Sequence, residues 1–218
     1  MTVDIASFAT REGAGMALAD TVAQLLAEAV RNRGRATLAV PGGRSPVAFF
    51  DALFPQALPW ERVAVTLTDD RWVPEDSPDS NLGQLRRHLA GARCRVVPLA
   101  GAEPTPSDGA QAAAERLAGL GGPFDAVVLG LGDDGHVASL FPGQPLDAAA
   151  PCLPGIAPVA PAARISLSLS RLLATRALFL LFGGSHRLGL VQAPPPGLPV
   201  TAVLEQAATT VRVIHYRD

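Results

Sequence analysis

Residues 125–143 read DAVVLGLGDDGHVASLFPG, and the division of this stretch between strand and turn decides the fold. Ala126, Val127, Val128 and Leu129 form an unbroken apolar run ending at Gly130, the pattern of a strand buried on both faces of a parallel sheet. The run leads directly into Gly130, Gly132, Asp133, Asp134, Gly135 and His136. In open α/β sheets, ligands bind just outside the carboxyl ends of strands, where the backbone turns away and polar side chains converge. A histidine beside two carboxylates and among glycines at such a place is a candidate reactive centre. A tight strand-to-helix turn that carries polar residues is the alternative, and the local sequence leaves both open. Gly130 to Gly135 also fits the dinucleotide fingerprint G-x-G-x-x-G. That motif needs a helix start for the pyrophosphate and a second strand ending in an acid. Asp133 and Asp134 would repel a diphosphate, and Pro142, Pro145, Pro151 and Pro154 leave no clear room for the helix and strand. The dinucleotide reading is set aside.

Outward from this centre, strands and helices alternate. In residues 12–33, Met16, Ala19, Ala23, Leu26, Ala27 and Val30 recur at three- and four-residue spacing, which predicts an amphipathic helix stopped by Gly34 behind Arg31 and Arg33. Strands are predicted at 3–8 (an edge), 36–40, 63–67, 96–99, 126–130, 165–170, 178–182 and 211–215. Further helices are predicted at 46–54, 81–90, 108–120 and 185–192. This alternation predicts an α/β fold: an open, mainly parallel twisted sheet with helices on both faces, Rossmann-like. With 218 residues, a single domain spanning 1–218 is expected, and Pro194-Pro195-Pro196-Gly197 reads as a stiff loop rather than a linker.

Composition narrows the function. The apolar share of 48% supplies a substantial core. A formal charge of −2 without any basic block argues against a nucleic-acid or anionic-membrane surface, so any attraction for an anion must be local. Cys94 and Cys152 show no metal-ligand spacing and read as reduced structural thiols. No apolar run approaches about 18 residues and no signal-peptide pattern opens the chain, so a cytoplasmic monomer is expected.

Two further turns follow apolar strands. In Pro41-Gly42-Gly43-Arg44-Ser45-Pro46, glycines let backbone N–H groups approach an anion, and Ser45 offers a hydroxyl to a ligand or to the helix as N-cap. The P-loop spacing and its lysine are absent. In Thr68-Asp69-Asp70-Arg71-Trp72, two carboxylates and a guanidinium can hold hydroxyls, position a base or stabilise an oxyanion; a solvated acid–base cluster is the alternative. Trp72 reads as packing and Asp79-Ser80-Asn81 as a helix cap. Arg164 opens a strand, and Arg187 follows Gly183-Gly184-Ser185-His186 into a helix; guanidinium groups grip phosphate bidentately. Among His88, His136, His186 and His215, only His136 has the setting of a catalytic base.

PGGRSP, DDRWVP followed by DSN, GLGDDGHVASLFPG and GGSHR occur in the order seen in bacterial 6-phosphogluconolactonases, which share a fold with glucosamine-6-phosphate deaminases. The chain resembles that family over nearly its whole length. The resemblance implies hydrolysis of 6-phospho-D-glucono-1,5-lactone without a cofactor or metal, with a small-molecule partner only. It implies His136 as general base and Arg71 as the substrate-orienting arginine, with Gly42, Gly43, Arg44, Ser45, Asp69, Arg164 and Arg187 around the substrate and its phosphate. Asp134 can orient the imidazole or cap the turn. Arg44 stands where the family often has serine, Ser45 where it has threonine, Asp70 for glutamate, Val137 for threonine and Arg187 for lysine. The deaminases carry a glutamate shortly after D-G-H, whereas residues 137–142 here read VASLFP; that absence favours the lactonase. A non-catalytic sugar-phosphate sensor is a third reading, weakened by the lack of a helix-turn-helix or basic face.

Overall fold

The alternation builds a seven-stranded sheet whose strands all run parallel, in the order β1-β10-β9-β6-β2-β3-β5. These strands are β1 (Val3–Phe8), β2 (Ala36–Val40), β3 (Val63–Leu67), β5 (Arg95–Val97), β6 (Ala126–Gly130), β9 (Leu178–Gly183) and β10 (Val211–Tyr216). A computed structural model describes residues 2–89 and 91–217; the helix end predicted at Ala90 and the domain limits at Met1 and Asp218 lie outside the described residues. The helices are α1 (Arg11–Arg33), α2 (Val47–Leu53), α3 (Asn81–His88), α4 (Pro106–Ala118), α5 (Leu169–Leu173), α6 (Ser185–Gln192) and α7 (Pro199–Gln206). β2 and β9 are buried at every residue, as expected of strands covered on both faces.

α1 has both predicted end signals. The Thr10 hydroxyl accepts the Gly13 N–H at 3.1 Å, and Gly34, at φ 73°, donates to Val30 O at 2.8 Å in the left-handed conformation that suits glycine. Its buried face carries Leu18, Val22 and Leu26, all fully buried, at about 1.5–3 kcal/mol each. Met16, predicted in that face, is 60% exposed and lines a groove against α2. The register is set instead by Gly15, where a Cβ would lie 2.7 Å from the backbone of Ala48. The two helices touch there through backbone, and Met16 is turned outward.

A second, antiparallel sheet has the order β4-β8-β7, from β4 (Asp69–Arg71), β7 (Cys152–Ile156) and β8 (Ala163–Leu167). The strand predicted at 165–170 is corrected on two counts. It belongs to this sheet, and it stops at Leu167 because Ser168 caps α5, its hydroxyl accepting the Arg171 N–H at 3.3 Å. The helix predicted at 46–54 begins after Pro46, and the Ser45 hydroxyl makes no capping bond, leaving it free of that duty. His215 is buried, with Nδ1 3.2 Å from Ser7 Oγ.

Candidate functional site

The winding of the main sheet reverses between β2 and β6: β3 and β5 extend one way from β2, and β6, β9 and β10 extend the other. At such a reversal the connecting loops part, and a crevice opens beyond the carboxyl ends of the strands. A cleft of about 500 Å³ occupies this place. The loop after β2 contributes Gly42, Gly43, Arg44 and Ser45, the short strand β4 contributes Asp69 and Arg71, and the loop after β6 contributes Gly132 and His136.

In the last loop, His136 is held on one side. Its Nδ1 lies 2.5 Å from Asp134 Oδ1, and the same oxygen accepts the His136 N–H at 3.1 Å. Burial pushes the Asp134 carboxyl up, but the amide, ring and charge of His136 outweigh it and leave the pKa below its ordinary value. An ionised carboxylate fixes the tautomer: Nδ1 carries the proton and Nε2 keeps its lone pair. The ring also stands 4.9 Å, centroid to centroid, from Phe141. Gly132 leaves space for it, since a Cβ there would lie 2.1 Å from His136 Cε1. Gly135, at φ 82°, accepts the Val200 N–H at 3.0 Å, so the start of α7 buttresses the loop. Ala138, lining the cleft, sits at φ 50°, a conformation a side-chain-bearing residue rarely adopts.

The Asp-Asp-Arg strand β4 divides its labour. Asp69, buried at the cleft, accepts a 2.6 Å bond from Ser139 Oγ. Asp70 is turned inward and accepts N–H bonds from Asn81 at 2.8 Å, Leu82 at 3.2 Å and Arg71 at 2.8 Å. Desolvation raises its pKa from 3.8 to about 6 despite those donors, with Asp69 adding to the rise. Ser80 caps α3 as its position suggests, accepting the Gly83 N–H at 3.0 Å. Arg71 donates to Asp79 O at 2.7 Å.

Arg164 and Arg187 are not in the wall of this cleft. Arg164 is directly opposite Arg71 across the β4–β8 pair. It is 6% exposed, and its Nη1 has no partner among the described residues. Desolvation, and then Arg71, lower its pKa against the pull of Asp69, Asp79 and Asp70. Arg187 donates through Nε to Asp133 Oδ1 at 2.9 Å and through Nη1 to Gly183 O at 3.2 Å, and His186 Nε2 lies 2.9 Å from Asp133 O. Both arginines thus adjoin the loops of the cleft, one beside Arg71 and one tied to the histidine loop. Among the described residues, no three metal-ligating side chains cluster, and no helix is long and apolar enough to cross a membrane.

Sequence reasoning did not single out Gln84, Arg87 or Ser139, the first two of which line the cleft. The partners of Gln84 and Ser139 lie far away in the chain, and no local pattern marks any of the three.

Residues 9–211 match the family model described as glucosamine-6-phosphate isomerases/6-phosphogluconolactonase. The 6-phosphogluconolactonase of Pseudomonas aeruginosa is 42% identical over 81% of this chain and 78% of its own length. That of Caulobacter vibrioides is 34% identical over 97% of each. The crystal structure of a 6-phosphogluconolactonase from Shewanella baltica superimposes with a TM-score of 0.92 at 35% identity, covering 100% of this chain and 98% of that one. A monomeric glucosamine-6-phosphate deaminase shares the fold at a TM-score of 0.82 and 15% identity. The strand order, the histidine loop and these likenesses together assign the chain to the glucosamine-6-phosphate isomerase/6-phosphogluconolactonase family.

Proposed function

We propose that this chain is a 6-phosphogluconolactonase that hydrolyses 6-phospho-D-glucono-1,5-lactone to 6-phospho-D-gluconate, with His136 as general base and no metal ion. The observation that carries the reading is the Asp134–His136 pair, which opens on a cleft also lined by Arg71 and the glycine turn. A lactone is an activated ester, so a positioned water and a base suffice. His136 Nε2 takes a proton from water as its oxygen bonds to C1. Negative charge gathers on the former carbonyl oxygen, where Arg71 can donate hydrogen bonds. Collapse of this intermediate breaks the bond from C1 to the ring oxygen, which receives the proton from the imidazolium. Asp134 keeps Nδ1–H in place throughout and stabilises the transient cation.

The phosphoryl group is remote from C1, so its binding serves to place the ring. Arg164 suits this purpose, because a phosphoryl oxygen supplies an acceptor for its unpartnered nitrogen. Arg187 can exchange its exposed Asp133 partner for a phosphoryl oxygen. After His136 come Val137, Ala138 and Ser139, none of them an acid, which disfavours the deaminase chemistry.

Replacing His136 with Ala is expected to lower kcat by about 10²–10⁴-fold, the usual worth of a general base, while EDTA leaves the parent rate unchanged. Full activity in His136→Ala sinks the mechanism, loss of activity in EDTA sinks its metal independence, and ammonia release from glucosamine 6-phosphate would point to the deaminase instead.

A further inference from the structure

The glycine turn is held by a side chain that the reaction just derived does not use. Gln84 lies on α3, half-buried in the wall of the cleft. Its amide closes two hydrogen bonds on one residue: Gly43 N–H donates to Oε1 at 2.9 Å, and Nε2 donates to Gly43 O at 2.6 Å. The N–H of Gly43 is therefore taken by the protein. Those of Gly42, Arg44 and Ser45 donate to no acceptor among the described residues. Gly43 has φ 87°, and nothing stands within 4 Å of where its Cβ would be, so side-chain packing does not restrain it. The restraint comes from α3: Gln84 grips Gly43, and a Cβ on Gly42 would lie 2.0 Å from the Asn81 amide.

α3 is itself fastened to β4. The Asp70 carboxylate accepts its first N–H groups, and Asn81 Nδ2 donates to Asp69 O at 3.0 Å. The helix is thus a strut between the turn after β2 and the strand β4. Gln84 is the end of that strut that reaches the glycines.

We propose that Gln84 is a positioning residue for the hydrolysis. Its planar amide, one donor beside one acceptor, fixes the glycine turn so that the unengaged amides on either side of Gly43 are ordered before substrate arrives. The proposal rests on the lactonase reading. A turn that contacts ground state and transition state alike contributes uniform binding, so its loosening raises KM and leaves kcat nearly unchanged.

The test measures kcat, KM and thermal midpoint for the parent, Gln84→Ala, Gln84→Met and Gln84→Glu with 6-phospho-D-glucono-1,5-lactone. Gln84→Ala and Gln84→Met are expected to raise KM about 5- to 30-fold, the factor that corresponds to ordering one backbone residue on binding, with kcat within about threefold. Gln84→Met fills the wall if the alanine variant proves unstable. In Gln84→Glu the ionised carboxylate accepts the Gly43 N–H but faces a carbonyl oxygen. Once protonated, it again offers donor beside acceptor. Its KM relative to the parent's should therefore fall as the pH is lowered from 7 to about 4, where a glutamate protonates, a response that simple wall-filling does not produce. An inactive parent would remove the lactonase reading itself. An active parent with KM unchanged in both neutral variants, or a Gln84→Glu ratio that does not fall in acid, would overturn the positioning role alone.

Discussion

The imidazole of His136 is useful because of what surrounds it on the side away from the cleft. Asp134 engages Nδ1 directly, and the absence of a Cβ at Gly132 leaves the ring in van der Waals reach of the loop that carries it. Replacing Asp134 with Asn keeps the size of the group but removes its charge and allows an amide N–H to face Nδ1, which selects the wrong tautomer. We expect kcat to fall about 10²–10⁴-fold with little change in KM; steady-state kinetics on a variant of unchanged fold would check it, and a kcat within a factor of about three of the parent's would exclude the role. The histidine, its acid and its glycines could be read from the sequence because they are neighbours after an apolar run. Ser139, which holds Asp69 from 70 positions away, and Gln84, which holds Gly43 from 41, could not. Their partners are set by folding, and serine and glutamine in those positions carry no local signature.

At the scale of elements, Asp70 joins β4 to the start of α3 and pays for the role in proton affinity. Its pKa in the folded protein is about 6 against an ordinary 3.8, so between these values the folded chain binds more protons than the unfolded one. Stability from this group is full below about pH 4 and is lost as the pH rises through about 6, by roughly 3 kcal/mol at about 1.4 kcal/mol per pKa unit. Carboxylates held low, such as Asp134 and Glu103, slope the opposite way, so the comparison with Asp70→Asn isolates the contribution. Urea midpoints measured from pH 4 to 7 should decline more steeply toward high pH in the parent than in the variant; parallel curves would refute it. The elements that escaped prediction did so for physical reasons. β4 is only three residues long. β7 contains Pro154, tolerated because the strand is at the edge of its sheet. α7 follows a run of prolines but opens with Pro199 in its first turn, where a missing N–H costs nothing.

For the molecule as a whole, parallel-sheet architecture and the place of the cleft were legible from the alternation of strands and helices, because that periodicity is a property of the entire chain. The second sheet was not, since it joins β4 at 69–71 to the β7–β8 pair at 152–167, two segments far apart in the chain. A product that binds only the folded state should stabilise it as a whole. At a concentration about 100 times its Kd, 6-phosphogluconate is expected to add about 2.7 kcal/mol, or roughly 5–11 °C in Tm for a chain of this size. Gluconate at the same concentration should do far less. Equal shifts from the two, read by differential scanning calorimetry, would argue against any hold on the phosphoryl group.

The pairing of β1 with β10, and of β10 with β9, bears on how the chain is made. β10 is inserted between two strands made before it, so β1 has no neighbour in the sheet until residues 211–216 emerge. Until then β9 presents an open, apolar flank, the kind of surface on which nascent chains aggregate. A chain cut before Val211 should therefore be protease-sensitive at its amino end as well as its carboxyl end, far from the cut in sequence and next to it in space.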